Sequence, residues 1–327
     1  MILVTGGAGF IGSNLVAAFE KAGEAVAVCD WLGHDNKWRN LSKRMLEDIV
    51  APENLDIFLK ERGAEITLIV HMGAISTTTE TNVDHIVENN LRLSQKLWLW
   101  CRDHGKRFIY ASSAATYGDG AQGFVDGEDD AHLSRLHPLN PYGWSKHAFD
   151  RWVAARRKYS KAAPAQCVGL KFFNVYGPNE YHKGPQRSVV EQVYPFAMRG
   201  EAFQLFKSHR PDYADGGQLR DFIWVGDCVK VIMWMAAHPE TNGLFNLGTG
   251  QSRSFADLAR AVYAAAGKEP QIAYRNMPEA LRDKYQYFTQ ADMRKLRAAG
   301  YTDAFTSLED GVRAYVRDYL MADDPYV

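Results

Sequence analysis

The chain has 327 residues, of which 46% are hydrophobic and 24% are charged, and its formal net charge is -1. This length allows one large or two modest domains. The balanced charge gives no electrostatic reason for binding to nucleic acid or to an anionic membrane, so neither partner is expected. Four scattered cysteines without a CxxC spacing predict neither a zinc cluster nor a disulfide framework, and no metal site is expected.

The chain opens on MILVTGG, where a strand is predicted to start at the second residue. That start leaves no room for the charged and apolar regions of a signal peptide. Apolar runs such as TLIVHMGAI are too short to span a bilayer. A cytoplasmic location is therefore expected.

The first half of the chain alternates short apolar runs rich in β-formers with helical segments. Strands are predicted at 2–4, 25–30, 66–70, 107–113 and 166–173, and helices near 12–22, across DHIVENNLRLSQKLWLWCRDH and from near Tyr142. This alternation is typical of a parallel sheet with helices on both faces. Residues 1–173 are therefore predicted to form an α/β, doubly wound domain of the Rossmann type.

In the second half, strands and helices alternate less regularly, and the helices are separated by short strands and turns. The helices are predicted near 187–199, 254–266, 289–299 and 307–320, and Ser254 is the predicted N-cap of the second of them. Residues 174–327 are predicted to form mainly a smaller, mixed α/β substrate-binding domain. A segment at about 220–250 is expected to return to the first domain.

A glycine-rich turn, VTGGAGFIGSN, lies between the first strand and the first helix. Without Cβ atoms such a turn is tight and lets a pyrophosphate approach the free N–H groups at the helix start. A turn without a ligand is the alternative, and the position between an apolar strand and an amphipathic helix disfavours it. The motif predicts a nicotinamide dinucleotide site that includes Gly6, Gly9, Phe10, Ile11 and Gly12.

Asp30 closes the second strand, where a carboxylate binds the adenosine ribose hydroxyls of a dinucleotide. A carboxylate there favours NAD, because it would repel a 2′-phosphate. Lys37 and Arg39 follow closely and could neutralise such a phosphate, or could simply be solvated loop charges. Asp30, Trp31 and Lys37 are predicted to face this ribose, and both NADP and NAD stay open as cofactors.

Ser113 ends the strand RFIYASS, and Tyr142 lies one helical turn before Lys146 in PYGWSK. The Tyr–Lys spacing alone is weak evidence, since it also arises by accident. In this context Tyr142 is predicted to transfer a proton, with its phenolate favoured by the Lys146 ammonium and a cationic nicotinamide. Ser113 would hydrogen-bond the reacting oxygen, and Lys146 would also hold the nicotinamide ribose, as alcohol oxidation by hydride transfer requires.

The end of the fourth predicted strand and the long helix after it supply further candidates. Met72, Gly73, Ala74 and Asn90 are predicted to bind the cofactor. Ser76 is predicted to contact cofactor or sugar, although a hydroxyl at a strand end could equally cap backbone groups.

TGGAGFIG, ASSAATYG and PYGWSK resemble the extended short-chain dehydrogenase/reductase superfamily. The motifs GAISTTTE, FFNVYGPNEYHKG, RDFIWVGD, FNLGTGQSRSF and YQYFTQADMRKLRAAGY together resemble, over essentially the entire chain, its ADP-glycero-manno-heptose 6-epimerase family. The resemblance implies NADP-dependent inversion at C6 of the heptose in ADP-D-glycero-D-manno-heptose, a precursor of the lipopolysaccharide inner core. It also implies a homo-oligomer such as a pentamer.

The same resemblance assigns Lys183, in EYHKG, as the proton-transfer group opposite Tyr142; as a residue type alone it would be read as a solvated loop lysine or a phosphate contact. It implies substrate contacts for Asn174, Val175, Phe206, Arg220 and Tyr285. Asn174 could instead stabilise a turn. Arg220 could instead pair with Asp221 or another acidic residue, although arginine forks suit diphosphates.

Three rival functions are open to a chain with these motifs. A UDP-hexose 4-epimerase of the same fold would not need Lys183. A 4,6-dehydratase needs an acidic pair after the serine, where this chain has Ala114 and Ala115. A non-catalytic nucleotide sensor would usually have lost the Tyr142–Lys146 pair.

Overall fold

The computed structural model describes residues 1–159, 162–282 and 285–327, apart from the side chains of residues 280 and 281. Its strands are β1 (Ile2–Thr5), β2 (Val26–Cys29), β3 (Asp48–Val50), β4 (Leu68–His71), β5 (Arg107–Ser113), β6 (Gln166–Phe172), β7 (Asn174–Tyr176), β8 (Phe203–Phe206), β9 (Leu219–Trp224), β10 (Gly243–Leu247), β11 (Ser252–Ser254) and β12 (Ile272–Arg275). Its α-helices are α1 (Phe10–Lys21), α2 (Leu55–Arg62), α3 (Val83–Ile86), α4 (Leu93–Asp103), α5 (Asp130–Leu133), α6 (Pro141–Tyr159), α7 (Val189–Arg199), α8 (Val225–Ala237), α9 (Phe255–Ala265), α10 (Glu279–Arg282), α11 (Arg294–Ala298) and α12 (Leu308–Ala314).

In the described part of the chain, seven parallel strands form one large sheet in the order β10-β6-β5-β4-β1-β2-β3. The inner strands are continuous apolar runs because helices cover both faces: every residue of β1, β4 and β6 is buried. The strand order reverses between β1 and β4, which is where open α/β sheets bind their ligands.

Two smaller sheets, β11-β9-β7 and β12-β8, belong to the second half of the chain. They pack with α7, α9 and α12 around a separate apolar core that includes Val193, Tyr263 and Val312. The predicted fold class, a doubly wound parallel sheet with a smaller mixed domain, is confirmed. Within the second half, β10 adds to the large sheet beside β6, and α8 packs against α1.

Helix boundaries follow the local sequence closely where a cap is present. At the start of α9 the Ser254 hydroxyl accepts a hydrogen bond from Asp257 N, and Ser254 N donates the reciprocal bond of a capping box to the Asp257 carboxylate. The helix predicted near 289–299 is shorter and spans only Arg294–Ala298. The residues before it run alongside β9 instead, where Leu219 and Tyr287 share a backbone hydrogen bond.

None of the helices in the described ranges combines the length and the apolarity that crossing a bilayer requires.

Candidate active site

Most of the predicted site residues line one cavity of about 1040 Å³ at the carboxyl edge of the large sheet. The cavity lies between the strand ends of the first domain and loops of the second half. The predicted residues that line it are Gly6, Gly9, Phe10, Ile11, Gly12, Asp30, Trp31, Lys37, Met72, Gly73, Ala74, Ser76, Ser113, Tyr142, Lys146, Asn174, Val175, Lys183, Arg220 and Tyr285.

Two predicted site residues lie outside the cavity wall. Asn90 is fully buried; its amide bonds both backbone groups of Ile75 and the hydroxyl of Ser145, so it fixes the loop after β4 against α6. Phe206 stands edge-on to the ring of Tyr285, with 6.2 Å between ring centroids. Both residues therefore support the cavity from behind.

The glycine turn has the geometry that a pyrophosphate requires. Gly6 has a φ of 66°, in the left-handed region that favours glycine. A Cβ added at Gly12 would lie only 2.1 Å from the carbonyl oxygen of Gly6, so the tight turn depends on this glycine. The first turn of α1 carries no acidic side chain, which leaves its positive end open to an anion. These residues fit a dinucleotide.

Asp30 and Lys37 form an ion pair in the cavity wall, beside the glycine turn. Lys37 Nζ lies 2.7 Å from Asp30 Oδ1 and also donates to the carbonyl of Trp31. The other carboxylate oxygen of Asp30 accepts from Ala8 N in the glycine turn. The Asp30 charge is thus neutralised by a neighbouring cation within the cavity wall.

Ser113, Tyr142 and Lys146 line the same cavity, and the Tyr142 hydroxyl is hydrogen-bonded to Ser113. Burial raises the pKa of Tyr142, and a hydrogen bond with Ser113 opposes that shift. Lys146 Nζ donates to the carbonyl of Ala111 at 2.8 Å, and burial lowers the pKa of Lys146 to about 8. The expected lowering of the Tyr142 pKa is therefore not found for the protein alone. The effect of desolvation on the phenol is larger than that of its hydrogen bond with Ser113.

Lys183 enters the same cavity from the second half of the chain. It lies in the 3₁₀ turn Tyr181–Gln186, and its ammonium stands 5.2 Å from the centroid of the Phe10 ring. Burial lowers the pKa of Lys183, while the nearby carboxylate of Glu180 opposes the shift. Because its pKa is lowered, Lys183 can exchange a proton near neutral pH more readily than a solvated lysine.

Asn174 is exposed at the start of β7.

Arg220 and Tyr285 form the far end of the cavity. The Arg220 guanidinium is buried 5.1 Å from the centroid of the Tyr285 ring and 5.6 Å from that of Phe255. The alternative of an ion pair with Asp221 is not found, because backbone N–H groups at 249–250 occupy that carboxylate. A buried guanidinium between aromatic rings suits a diphosphate.

Sequence reasoning missed several residues of the cavity wall. His182 and Arg187 line it beside Lys183, and Phe255 lines it below Arg220. His182 and Arg187 could have been predicted from their position in the EYHKGPQR loop, because the family resemblance already assigned Lys183 in that loop. Phe255 is the first residue of the capped helix α9. The helix was predicted, but the pattern did not show that the Phe255 side chain lines the cavity.

Known proteins resemble the chain throughout its length. The model of the NAD dependent epimerase/dehydratase family matches residues 2–248. The ADP-L-glycero-D-manno-heptose-6-epimerase of Nitratidesulfovibrio vulgaris (strain DP4) is 51% identical over 330 residues and 100% of both chains. The protein of the same name from Fusobacterium nucleatum subsp. nucleatum is 43% identical over 336 residues, again covering 100% of both.

Solved structures with lower sequence identity to this chain also resemble it over nearly its full length. The Helicobacter pylori ADP-L-glycero-D-manno-heptose-6-epimerase superposes with a TM-score of 0.78 at 28% identity, covering 97% of this chain and 95% of that one. The UDP-glucose 4-epimerase of Thermus thermophilus, solved with NAD, superposes with a TM-score of 0.74 at 26% identity, covering 96% and 97%.

Proposed function

The chain belongs to the NAD-dependent epimerase/dehydratase family, and from this premise we propose that it interconverts ADP-D-glycero-D-manno-heptose and ADP-L-glycero-D-manno-heptose. Inversion at C6 requires that the carbinol be oxidised to a ketone and reduced again from the opposite face. A bound nicotinamide dinucleotide supplies the exchange of hydride. The protein must then supply a proton carrier for each of the two epimers.

One observation carries the proposal: Tyr142 and Lys183 open into the same cavity from two different parts of the fold. Tyr142 stands on α6 beside the large sheet, and Lys183 on the turn after β7. Tyr142 Oη takes the proton of the C6 hydroxyl of one epimer, and the Ser113 hydroxyl hydrogen-bonds the same oxygen. Lys183 Nζ serves the hydroxyl of the other epimer. Arg220 and Tyr285 hold the ADP part.

The cofactor we propose is NADP. The family description and the Thermus thermophilus structure both name NAD, so the Asp30–Lys37 pair is the only feature that favours NADP. A free carboxylate beside the ribose would repel a 2′-phosphate, whereas this one is already neutralised by Lys37. The ammonium then remains as a donor for the phosphate oxygens.

Lys37→Ala is expected to weaken NADP binding by at least about 10-fold, because the phosphate then faces an uncompensated Asp30. NAD binding should change much less, so the preference moves toward NAD. Titration calorimetry of cofactor-free protein with each dinucleotide measures both affinities. Lys60→Ala, at an exposed lysine on α2, is the matched control and should change neither. An unaltered NADP-to-NAD affinity ratio in Lys37→Ala would overturn the choice of NADP.

Incubation with ADP-D-glycero-D-manno-heptose is expected to give a mixture of the two C6 epimers, and the L epimer should give the same mixture. Chromatographic separation of the two epimers measures both directions. UDP-glucose, incubated in parallel and analysed for UDP-galactose, should stay unchanged. Conversion of UDP-glucose with both ADP-heptoses inert would replace the proposal by a hexose 4-epimerase.

A further inference from the structure

A buried ion pair lies behind the proposed proton-transfer residues. Lys171 Nζ lies 2.9 Å from Asp150 Oδ2, and the two side chains are 1% and 0% exposed. Asp150 follows Lys146 by four residues and Tyr142 by eight in α6. Tyr142, Lys146 and Asp150 therefore share one face of the helix, each about one turn after the one before.

The Asp150 carboxylate connects three elements of the fold. Its Oδ2 also accepts from the Ser112 hydroxyl at 2.7 Å, and its Oδ1 accepts from the Tyr110 hydroxyl at 3.2 Å, so it joins α6 to β5. Lys171 lies on β6 and donates a second bond to Thr116 at 2.6 Å. Both oxygens of this carboxylate are thus satisfied, which fixes its position relative to Lys146.

The Asp150 carboxylate also has an electrostatic effect on Lys146. Two ammonium groups, Lys146 and Lys171, are buried near one carboxylate. Burial disfavours the charged form of Lys146, and Asp150 is the acidic group that opposes this effect on its pKa. Without the carboxylate, burial of the Lys146 ammonium would be unopposed.

Four other titratable groups packed around this cluster are uncharged near neutral pH. Burial lowers the pKa of His71 on β4 to about 3 and that of His147 on α6 to about 4. Burial also raises the pKa of Tyr110 on β5 and of Tyr117 in the turn after it. The carboxylates of Glu128 and Asp126 act on Tyr110 and Tyr117, whereas Asp150 is the carboxylate that acts on Lys146.

We propose that Asp150 is a positioning residue that keeps Lys146 in its ammonium form, in the cavity that Tyr142 also lines, while Lys171 holds Asp150 in place. An ammonium group next to the phenol favours the phenolate, which is the form that accepts a proton from the substrate. The catalytic consequence rests on the proposed function. The charge of Lys146 does not, since it can be measured without any sugar.

Asp150→Asn preserves the shape of the side chain and removes its charge. In protein labelled with ¹³C at lysine Cε and carrying its cofactor, the Lys146 signal is assigned by its loss in Lys146→Met, and its titration midpoint is followed by NMR. Asp150→Asn is expected to lower this midpoint by at least about one pH unit. The rising limb of the pH–rate profile of epimerisation should move to higher pH, with turnover at pH 7 reduced about 10-fold or more.

Lys171→Gln is the control for a general loosening of the cluster. It removes the other member of the pair but keeps the carboxylate beside Lys146, so the Lys146 midpoint should not fall. Because breaking a buried pair is strongly destabilising, the double variant Asp150→Asn/Lys171→Gln provides a neutral, hydrogen-bonded replacement. Its midpoint should still lie below that of the unaltered protein.

An unchanged Lys146 midpoint in Asp150→Asn, or an equal fall in Lys171→Gln, would overturn the inference whatever happens to turnover. A shifted midpoint in protein that epimerises no ADP-heptose would leave the positioning role standing and would count against the proposed function instead.

Discussion

Tyr142→Phe is expected to slow interconversion of the two ADP-heptose epimers by at least about 100-fold, the usual scale for loss of a proton-transfer group. The substitution removes only the hydroxyl and keeps the ring that packs in α6. Ser113 would then lose its partner at the centre of the cavity, and the phenol that receives the substrate proton on that face would be gone. Turnover is measured by separating the two epimers over time, starting from each in turn.

Tyr159→Phe is the matched control for this variant. It makes the same chemical change in the same helix, at a side chain that is 79% exposed at the far end of α6. Its turnover should equal that of the unaltered protein. Cofactor content and melting temperature should be unchanged in both variants. A Tyr142→Phe variant with nearly normal turnover and intact cofactor would show that another group carries the proton.

The features that were predicted from sequence are those set by short-range patterns. The glycine turn needs a backbone that only glycine adopts without a clash, so Gly6 and Gly12 are recognisable wherever a strand precedes and a helix follows. The Tyr142–Lys146 pair depends on one turn of one helix. Parallel strands end at a common edge of the sheet. The predicted strands of the first domain therefore also predicted that Asp30 and Ser113 lie at the same edge.

Side-chain contacts between different elements or loops were not predictable in the same way. Lys37 follows Asp30 closely in sequence, yet nothing local shows that its ammonium pairs with that carboxylate. Asp150 and Lys171 lie on different elements, and their pairing depends on how α6 rotates over β6. Asn90 was predicted to bind the cofactor, and the hydrogen bonds of its amide to the loop after β4 were not predicted. Such side-chain directions are decided by packing, which sequence periodicity does not specify.

Lys183→Met is expected to reduce epimerisation by about 100-fold or more in both directions, because each turnover needs proton transfer at both faces of the sugar. Methionine retains much of the apolar stem that passes the Phe10 ring and removes the ammonium group. The effect separates the proposed reaction from that of a 4-epimerase, which would not need this residue. Rates are again measured with each epimer as the starting material.

The matched control is Lys268→Met, at an exposed lysine in the turn after α9, for which full turnover is expected. Binding of ADP-heptose, followed by calorimetry, distinguishes the two roles that were open for Lys183. A phosphate contact would weaken binding and spare the turnover number at saturating substrate. A proton carrier would do the reverse, because its contribution is made in the transition state. The burial that lowers the pKa of Lys183 favours the second result, since a larger neutral fraction can accept a proton near neutral pH.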